Sequence, residues 1–179
     1  EESQSRYVKD LVINSYSSLI DDLTSAFAIN GKGYLLLLRI DNIAPLLDAN
    51  GSEGYLAMIR SFIRRLKAMQ NNYENIYLFN NQAIAMLFTE FGQNDIFEMC
   101  EKIYELSRDN HANNADYDIN LTYLPFAYPG VFTGVENLLR QAEQFLSKGK
   151  YAINKNSIYL DEGAYSRPAN KNDYLLSII

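Results

Sequence analysis

Residues 34–38 read Tyr-Leu-Leu-Leu-Leu, and the run is ended by Arg39-Ile40-Asp41. A short continuous apolar stretch preceded by turn residues, here Gly31-Lys32-Gly33, marks a buried strand. Such a strand has to be covered by other elements, so the run demands a layered fold. It is far too short for a membrane span, which takes about 20 apolar residues.

The rest of the chain supplies those layers. Apolar residues at helical spacing (Tyr55, Met58, Ile59, Phe62, Ile63 and Leu66) predict a helix over 52–69. Two short strands at 74–79 and 83–89 are separated by the polar turn Asn80-Asn81-Gln82, the pattern of a β-hairpin. A helix follows over 93–108 with Ile96, Met99, Cys100, Ile103 and Leu106 inward, then a polar loop over 110–116 that holds His111. A strand over 117–127 stops at Pro129-Gly130, followed by a helix over 135–152 and a last strand over 157–161. This order predicts an α/β sandwich with helices covering a central mixed sheet. No internal repeat is visible.

Composition narrows the function classes. The 179 residues suit one domain with a short appendage. Sixteen basic against 22 acidic side chains leave a formal charge of −6, which repels a polyanion and argues against nucleic acid as partner. Cys100 and His111 are single, too few for an internal disulfide or a structural zinc site. Cys100 reads most simply as a core thiol, and His111 as a solvent-facing loop residue. The 14 Tyr and 9 Phe could stack on bases, but most fall on periodic core faces.

The two ends read differently. Glu1-Glu2-Ser3-Gln4 is acidic and lacks the apolar segment of a signal peptide, as in a piece of a longer protein. Residues 4–23 carry a helical rhythm in Val8, Val12, Tyr16, Leu19, Ile20 and Leu23, which suits either a packed helix or the end of a signalling coiled coil. Near the other end Asp161-Glu162 reads as a solvated turn. The polar stretch 163–173 then precedes the apolar 174–179, as in a linker toward a following domain.

Four landmarks in order resemble the GGDEF, or diguanylate cyclase, family. Asp21-Asp22-Leu23-Thr24 is similar to its opening D-x-L-T. Leu36-Leu37-Leu38-Arg39-Ile40-Asp41-Asn42-Ile43 is similar to its first strand and D-x-D-x-F motif. The hairpin 78–88 stands where the signature hairpin would be. Leu139-Arg140-Gln141-Ala142-Glu143-Gln144-Phe145-Leu146, followed by Lys150, resembles the late L-x-x-A-D-x-A-L-Y-x-A-K helix. The resemblance covers roughly residues 21–161. It implies a palm-like domain with a five-stranded core sheet and an N-terminal helix: a linker or signalling helix over 1–24, a GGDEF-like domain over 25–162 and a linker over 163–179. One departure is expected in the fold. The family usually has a full helix between D-x-L-T and the first strand, whereas only residues 25–33 fill that gap.

The resemblance also says what each site position should hold. A cyclase joining two GTP molecules needs carboxylates to hold divalent metal on the phosphates. At the two metal positions stand Arg39, a cation, and Asn81, a weak neutral ligand. All five signature positions differ, reading Phe79-Asn80-Asn81-Gln82-Ala83. The two base-reading positions hold Leu47 and Leu56, and the downstream phosphate lysine is Ala44. Gln70-Asn71-Asn72-Tyr73 stands where an R-x-x-D product-inhibition motif would be. Asp41, Asp48 and Lys150 match family positions without rebuilding the metal site.

Each remaining residue has a plain reading beside a sharper one. Arg39 can contact a nucleotide phosphate in place of metal, or form a salt bridge to Asp41, Asp48 or another carboxylate; the salt bridge is the simpler. Asn80-Asn81-Gln82 can bind a ligand, but Asn is also the natural residue of a tight turn. Lys150 is either a relic phosphate contact or a solvated lysine near a helix C-terminus.

The expectation is a catalytically inactive GGDEF domain without catalytic residues, metal or cofactor, serving as a regulatory module in bacterial cyclic-di-GMP signalling. The resemblance implies a cytoplasmic location within a multidomain protein. The partners it implies are an upstream sensory or inner-membrane module, a downstream EAL domain and a second copy in a homodimer. The alternative is a non-catalytic receptor for GTP or cyclic di-GMP.

Overall fold

A computed structural model describes residues 7–8, 13–70, 75–108, 118–152, 157–159 and 166–168, with side chains described over 13–69, 75–108 and 118–147. In chain order the elements are β1 (Tyr7–Val8), β2 (Ile13–Asn14), α1 (Tyr16–Ala28), β3 (Gly33–Ile40), α2 (Ile43–Gln70), β4 (Ile76–Leu78), β5 (Ala83–Thr89), α3 (Gln93–Arg108), β6 (Leu121–Tyr128), α4 (Val135–Ala152), β7 (Ser157–Tyr159) and β8 (Ser166–Pro168). The strands form one sheet in the order β1-β2-β4-β5-β3-β6-β7-β8. Its middle, β4-β5-β3-β6-β7, is the five-stranded sheet expected from the sequence, and the parallel β6–β7 pair makes it mixed.

The apolar run of β3 is the spine. It pairs antiparallel with β5 on one side and β6 on the other, so its backbone groups are satisfied along both edges. Its side chains alternate between two cores. Leu36, Leu38 and Ile40 join Ile84, Met86 and Phe88 beneath α2 and α3, with Phe62, Ile96 and Cys100. Leu35 and Leu37 join Ala85, Leu124 and Phe126 beneath α1 and α4, with Leu19, Leu23 and Leu138. Gly33, where β3 begins, has no room for a side chain, since a Cβ there would stand 1.9 Å from the Phe88 carbonyl oxygen.

The N-terminal segment departs most from expectation. Residues 7–8 and 13–14 are strands rather than parts of a helix over 4–23, and Asn14 is buried in register with Tyr77 of β4. Sheet pairing overrides a short helical rhythm here. The helix begins only after Ser15, whose hydroxyl accepts from the Ser18 amide at 3.2 Å as an N-cap. It then runs through residue 24 to Ala28, with Leu19, Leu23 and Ala26 against the sheet. Asp21-Asp22-Leu23-Thr24 therefore lies inside α1, where the Thr24 hydroxyl donates to the Ile20 carbonyl at 2.7 Å. Between Thr24 and β3 only residues 25–28 are helical, so no full helix fills that gap, as expected, and a boundary at residue 24 falls inside α1. Asn30, in the left-handed region at φ 56°, ends it, and the Gly31 amide closes onto the Ala26 carbonyl at 2.8 Å.

Other elements agree more closely. The helices over 93–108 and 135–152 form with those bounds, and the hairpin strands pair as expected. α2 starts at Ile43, nine residues before the helix read from periodicity, and is interrupted at Gly51 (φ 74°, ψ 172°). β6 starts at Leu121 rather than 117, and β7 is described over Ser157–Tyr159, the rest of the expected last strand lying outside the described residues. β8, inside the stretch read as a polar linker, pairs antiparallel with β7. His111, the segment 71–74 and Asp161-Glu162 lie outside the described residues.

Candidate functional site

The end of β3 meets the β4–β5 hairpin, because register pairs Arg39 with Ala83 on one side and with Thr122 of β6 on the other. The strand alternation that turns Leu35 and Leu37 toward α1 and α4 turns Arg39 the same way. Arg39 is only 5 % exposed, so its charge must be compensated by partners within the protein. It has three. Nε donates to Asp41 Oδ1 at 2.7 Å, Nη2 to Thr122 Oγ1 at 3.1 Å, and Nη1 to the Leu146 carbonyl of α4 at 3.0 Å. Thr122 Oγ1 in turn donates to Asp41 Oδ2 at 2.6 Å. The result is a closed ring of Arg39, Asp41 and Thr122 that also ties α4 to the central strand.

This ring decides between the two readings of Arg39: it forms the salt bridge, with Asp41 as partner. Asp48 lies exposed on α2 and takes no part. Next to the ring, the Asn42 side chain donates to the Asp118 carbonyl and accepts from the Asn120 amide, both at 3.0 Å, fixing the approach to β6. Arg108 at the end of α3 holds Asp118 at 3.0 Å and also donates to Asn120.

The hairpin turn is equally engaged. Asn80 Oδ1 accepts from the Gln82 amide at 2.8 Å, an Asx turn in which the side chain holds the loop. The Gln82 carbonyl accepts from the Ile40 amide at 2.8 Å, joining the turn to the end of β3. Phe79 is buried and meets Tyr16 of α1 edge to face, with centroids 5.4 Å apart. Ala83 is buried, whereas Asn81 and Gln82 face solvent.

Between the hairpin and α2 lies a pocket of about 190 Å³, walled by Ile40, Tyr55, Leu56 and Ile59 and rimmed by Asn80 and Asn81. It gathers four sequence-derived residues: Leu56, Asn80, Asn81 and Ala83. Leu47 is half-buried on α2 and is not among its walls. The side chain of Lys150 lies outside the described ones. Burial raises the Tyr55 phenol above its ordinary pKa, so it stays neutral and can offer a hydrogen bond at the edge of an apolar wall.

Chemically the arrangement is poorly suited to a divalent cation. Such an ion takes anionic oxygens. Here Arg39 stands beside Asp41, and both oxygens of Asp41 are already bonded, one to a cation and one to a hydroxyl. No group of three His, Cys, Asp or Glu side chains converges among the described residues. Sequence reasoning missed Thr122, the Leu146 carbonyl and the Tyr16–Phe79 contact. A polar residue inside the apolar run Leu121-Thr122-Tyr123-Leu124 was the one available signal, and only the register shows that it faces Arg39.

No family model matches the sequence, and no curated protein does. Solved structures do match. The GGDEF domain of DgcB from Caulobacter crescentus, in complex with c-di-GMP, superposes with a TM-score of 0.70 at 18 % identity, covering 88 % of this chain and 93 % of that one. The FimX GGDEF domain from Pseudomonas aeruginosa gives 0.70 at 10 % identity, covering 86 % and 98 %. The active GGEEF domain of a diguanylate cyclase from Vibrio cholerae gives 0.68 at 14 %, covering 82 % and 96 %. The chain has the GGDEF fold. At these identities the likeness is one of backbone architecture. The five letters that name the GGDEF fold do not occur as a run in this sequence, and its β4–β5 hairpin reads Phe79-Asn80-Asn81-Gln82-Ala83.

Proposed function

We propose that this chain is a catalytically inactive GGDEF domain that serves as a regulatory interaction module in bacterial cyclic-di-GMP signalling. The observation that carries the reading is the Arg39–Asp41–Thr122 ring: a buried guanidinium holds the carboxylate that a metal would need. The aligned positions Arg39, Asn81, Leu47 and Leu56 offer neither a metal-ligand pair nor polar groups for guanine. A pocket walled by Leu56 and Ile59 leaves the polar edge of a purine unpaired, which weakens binding and discrimination together. The protein is placed in the cytoplasm as part of a multidomain chain, with an upstream sensory or membrane module and a downstream EAL domain as partners.

The receptor reading, in which GTP or cyclic di-GMP binds without turnover, finds less support. It needs Arg39 to reach a phosphate, and the guanidinium is spent on internal bonds at 5 % exposure. Incubation of the protein with GTP and Mg²⁺ or Mn²⁺ should yield no cyclic di-GMP, and millimolar GTP or cyclic di-GMP should leave its melting temperature unchanged. Product formation that is lost in Asp41→Asn would overturn the inactive reading. Thermal stabilisation by either nucleotide would favour the receptor.

A further inference from the structure

Among the described residues, the large apolar side chains exposed to solvent are Ile20 at 36 %, Ile29 at 78 % and Val131 at 85 %. All three belong to one layer. Ile20 is on α1, Ile29 follows the end of α1, and Val131 precedes α4. Between the two helices runs an open groove of about 440 Å³. Tyr16, Ile20 and Thr24 of α1 line it from one side, and Val135, Glu136, Leu139, Arg140 and Glu143 of α4 from the other. The residues on α1 recur every four positions, a continuous stripe roughly 12 Å long. The helices run antiparallel: Glu143 acts on the Tyr16 phenol at one end, and Phe27 stacks on Tyr128 at the other. Ile29 and Val131 extend the apolar surface past that second end. The α2–α3 side exposes no comparable residue among those described.

The charges decide what can cover this groove. Glu136, Arg140 and Glu143 are exposed and, among the described residues, none of them is in an ion pair. A second copy of the chain fits badly. Antiparallel packing about the middle of α4 sets Glu136 against Glu143 of the other copy, and parallel packing sets each glutamate against its own counterpart. In both of these registers acid meets acid and Arg140 gains no carboxylate partner, which selects against them. The flanking Asp21 and the overall charge of −6 act in the same direction.

We infer that the α1–α4 groove is a docking site for a basic amphipathic helix of a protein partner, with apolar residues three and four apart on the groove and Lys or Arg on its flanks. Two to three turns of such a helix match the stripe, with the apolar face against Ile20, Leu139 and Val135, the cations against Glu136 and Glu143 and a neutral residue opposite Arg140. The inference rests on the interaction-module reading and names its partner. The two fail separately, since turnover of GTP would remove the module reading while leaving helix binding measurable.

The test uses two 18-residue synthetic helices of the same apolar pattern, one built from Leu and Lys and the other from Leu and Glu. Anisotropy titration should show the Lys peptide binding and the Glu peptide at least tenfold weaker. Amide shifts should fall on α1 and α4. Ile20→Ser, at an exposed position, removes the apolar contact without adding charge and should weaken the Lys peptide severalfold, and the double variant Glu136→Lys/Glu143→Lys should weaken it at least tenfold while improving the Glu peptide. Circular dichroism of both variants should match that of the parent. Equal binding to Ile20→Ser, shifts centred on α2 and α3, or no binding of the Lys peptide would overturn the proposal. So would a micromolar dimer that Ile20→Ser dissociates, because the occupant would then be a second copy.

Discussion

The two faces of the central sheet are built differently. Beneath α2 and α3 the core is almost entirely apolar, with Leu36, Leu38, Phe62, Ile96 and Ile103 closed off from solvent. Beneath α1 and α4 the same sheet buries an arginine and a threonine, and its helices leave apolar side chains in the open. The first face spends its hydrophobic surface on folding alone. The second holds a charged ring inside and keeps apolar surface outside. A side chain on that second face therefore has two kinds of neighbour to satisfy.

Deleting Phe62 from the α2–α3 face sets the scale for breaking this comparison. Phe62→Ala should destabilise by about 3–5 kcal/mol in denaturant unfolding, as a fully buried aromatic leaves a cavity. Arg39→Ala should cost up to a similar ~3–5 kcal/mol for another reason, since it leaves the largely buried Asp41 carboxylate beside Thr122 without its cation. The distinguishing variant removes both charges. Arg39→Met combined with Asp41→Leu should recover most of the loss, which no second deletion can do beside Phe62→Ala. If the double variant is no more stable than Arg39→Ala, the ring is packing rather than charge, and the two faces are alike.

Alkaline pH should act on both faces, and more gently. Tyr16 and Tyr128 are raised first by burial and then by Glu143 and Glu90, respectively, and Tyr55 by burial alone. A phenol whose folded pKa lies above its unfolded value of about 10 keeps its proton longer in the folded state. Its contribution to stability is complete below that unfolded value and is lost as pH rises through the folded one. Unfolding midpoints should therefore fall above pH ~10. They should fall less than the parent's in a Tyr16→Phe/Tyr128→Phe variant on the second face and in Tyr55→Phe on the first, since each removes phenols that folding raises. A limb identical to the parent's in both variants would deny that folding raises these phenols.

The smallest expected effect tests the outer surface. Ile20→Glu should change stability by less than about 0.5 kcal/mol, as for exposed positions generally, although it abolishes an apolar contact point of the groove. A loss of several kcal/mol would show that Ile20 belongs to the core of this face rather than to a surface awaiting a partner.

Much of this was readable in advance where a periodic pattern coincided with a buried face. The apolar run of β3, the helices Gln93–Arg108 and Val135–Ala152, the hairpin and the position of Cys100 in the core follow from spacing alone. The strands at 7–8 and 13–14 are hidden in the sequence because Val8, Val12 and Tyr16 recur at helical intervals, while Asn14 finds its partner in Tyr77, sixty-three positions later. Pairing over such a distance leaves no local trace. That an arginine ends the central strand and an asparagine sits in the hairpin turn is also visible in the sequence.

By itself the amino-acid sequence determined the layered α/β fold, through the alternation of buried strands and amphipathic helices. It also determined that a cation, Arg39, ends the central strand and a neutral Asn81 stands in the hairpin turn, which is a matter of residue type. Only the tertiary structure decided what Arg39 does. Its three acceptors come from the residue after β3, from β6 and from α4, up to 107 positions away, and a choice between solvent, ligand and internal partner depends on which groups packing brings within hydrogen-bond distance. The α1–α4 groove was decided there too. A helix's own periodicity says which stripe is apolar, but only its packing angle and neighbour leave part of that stripe uncovered.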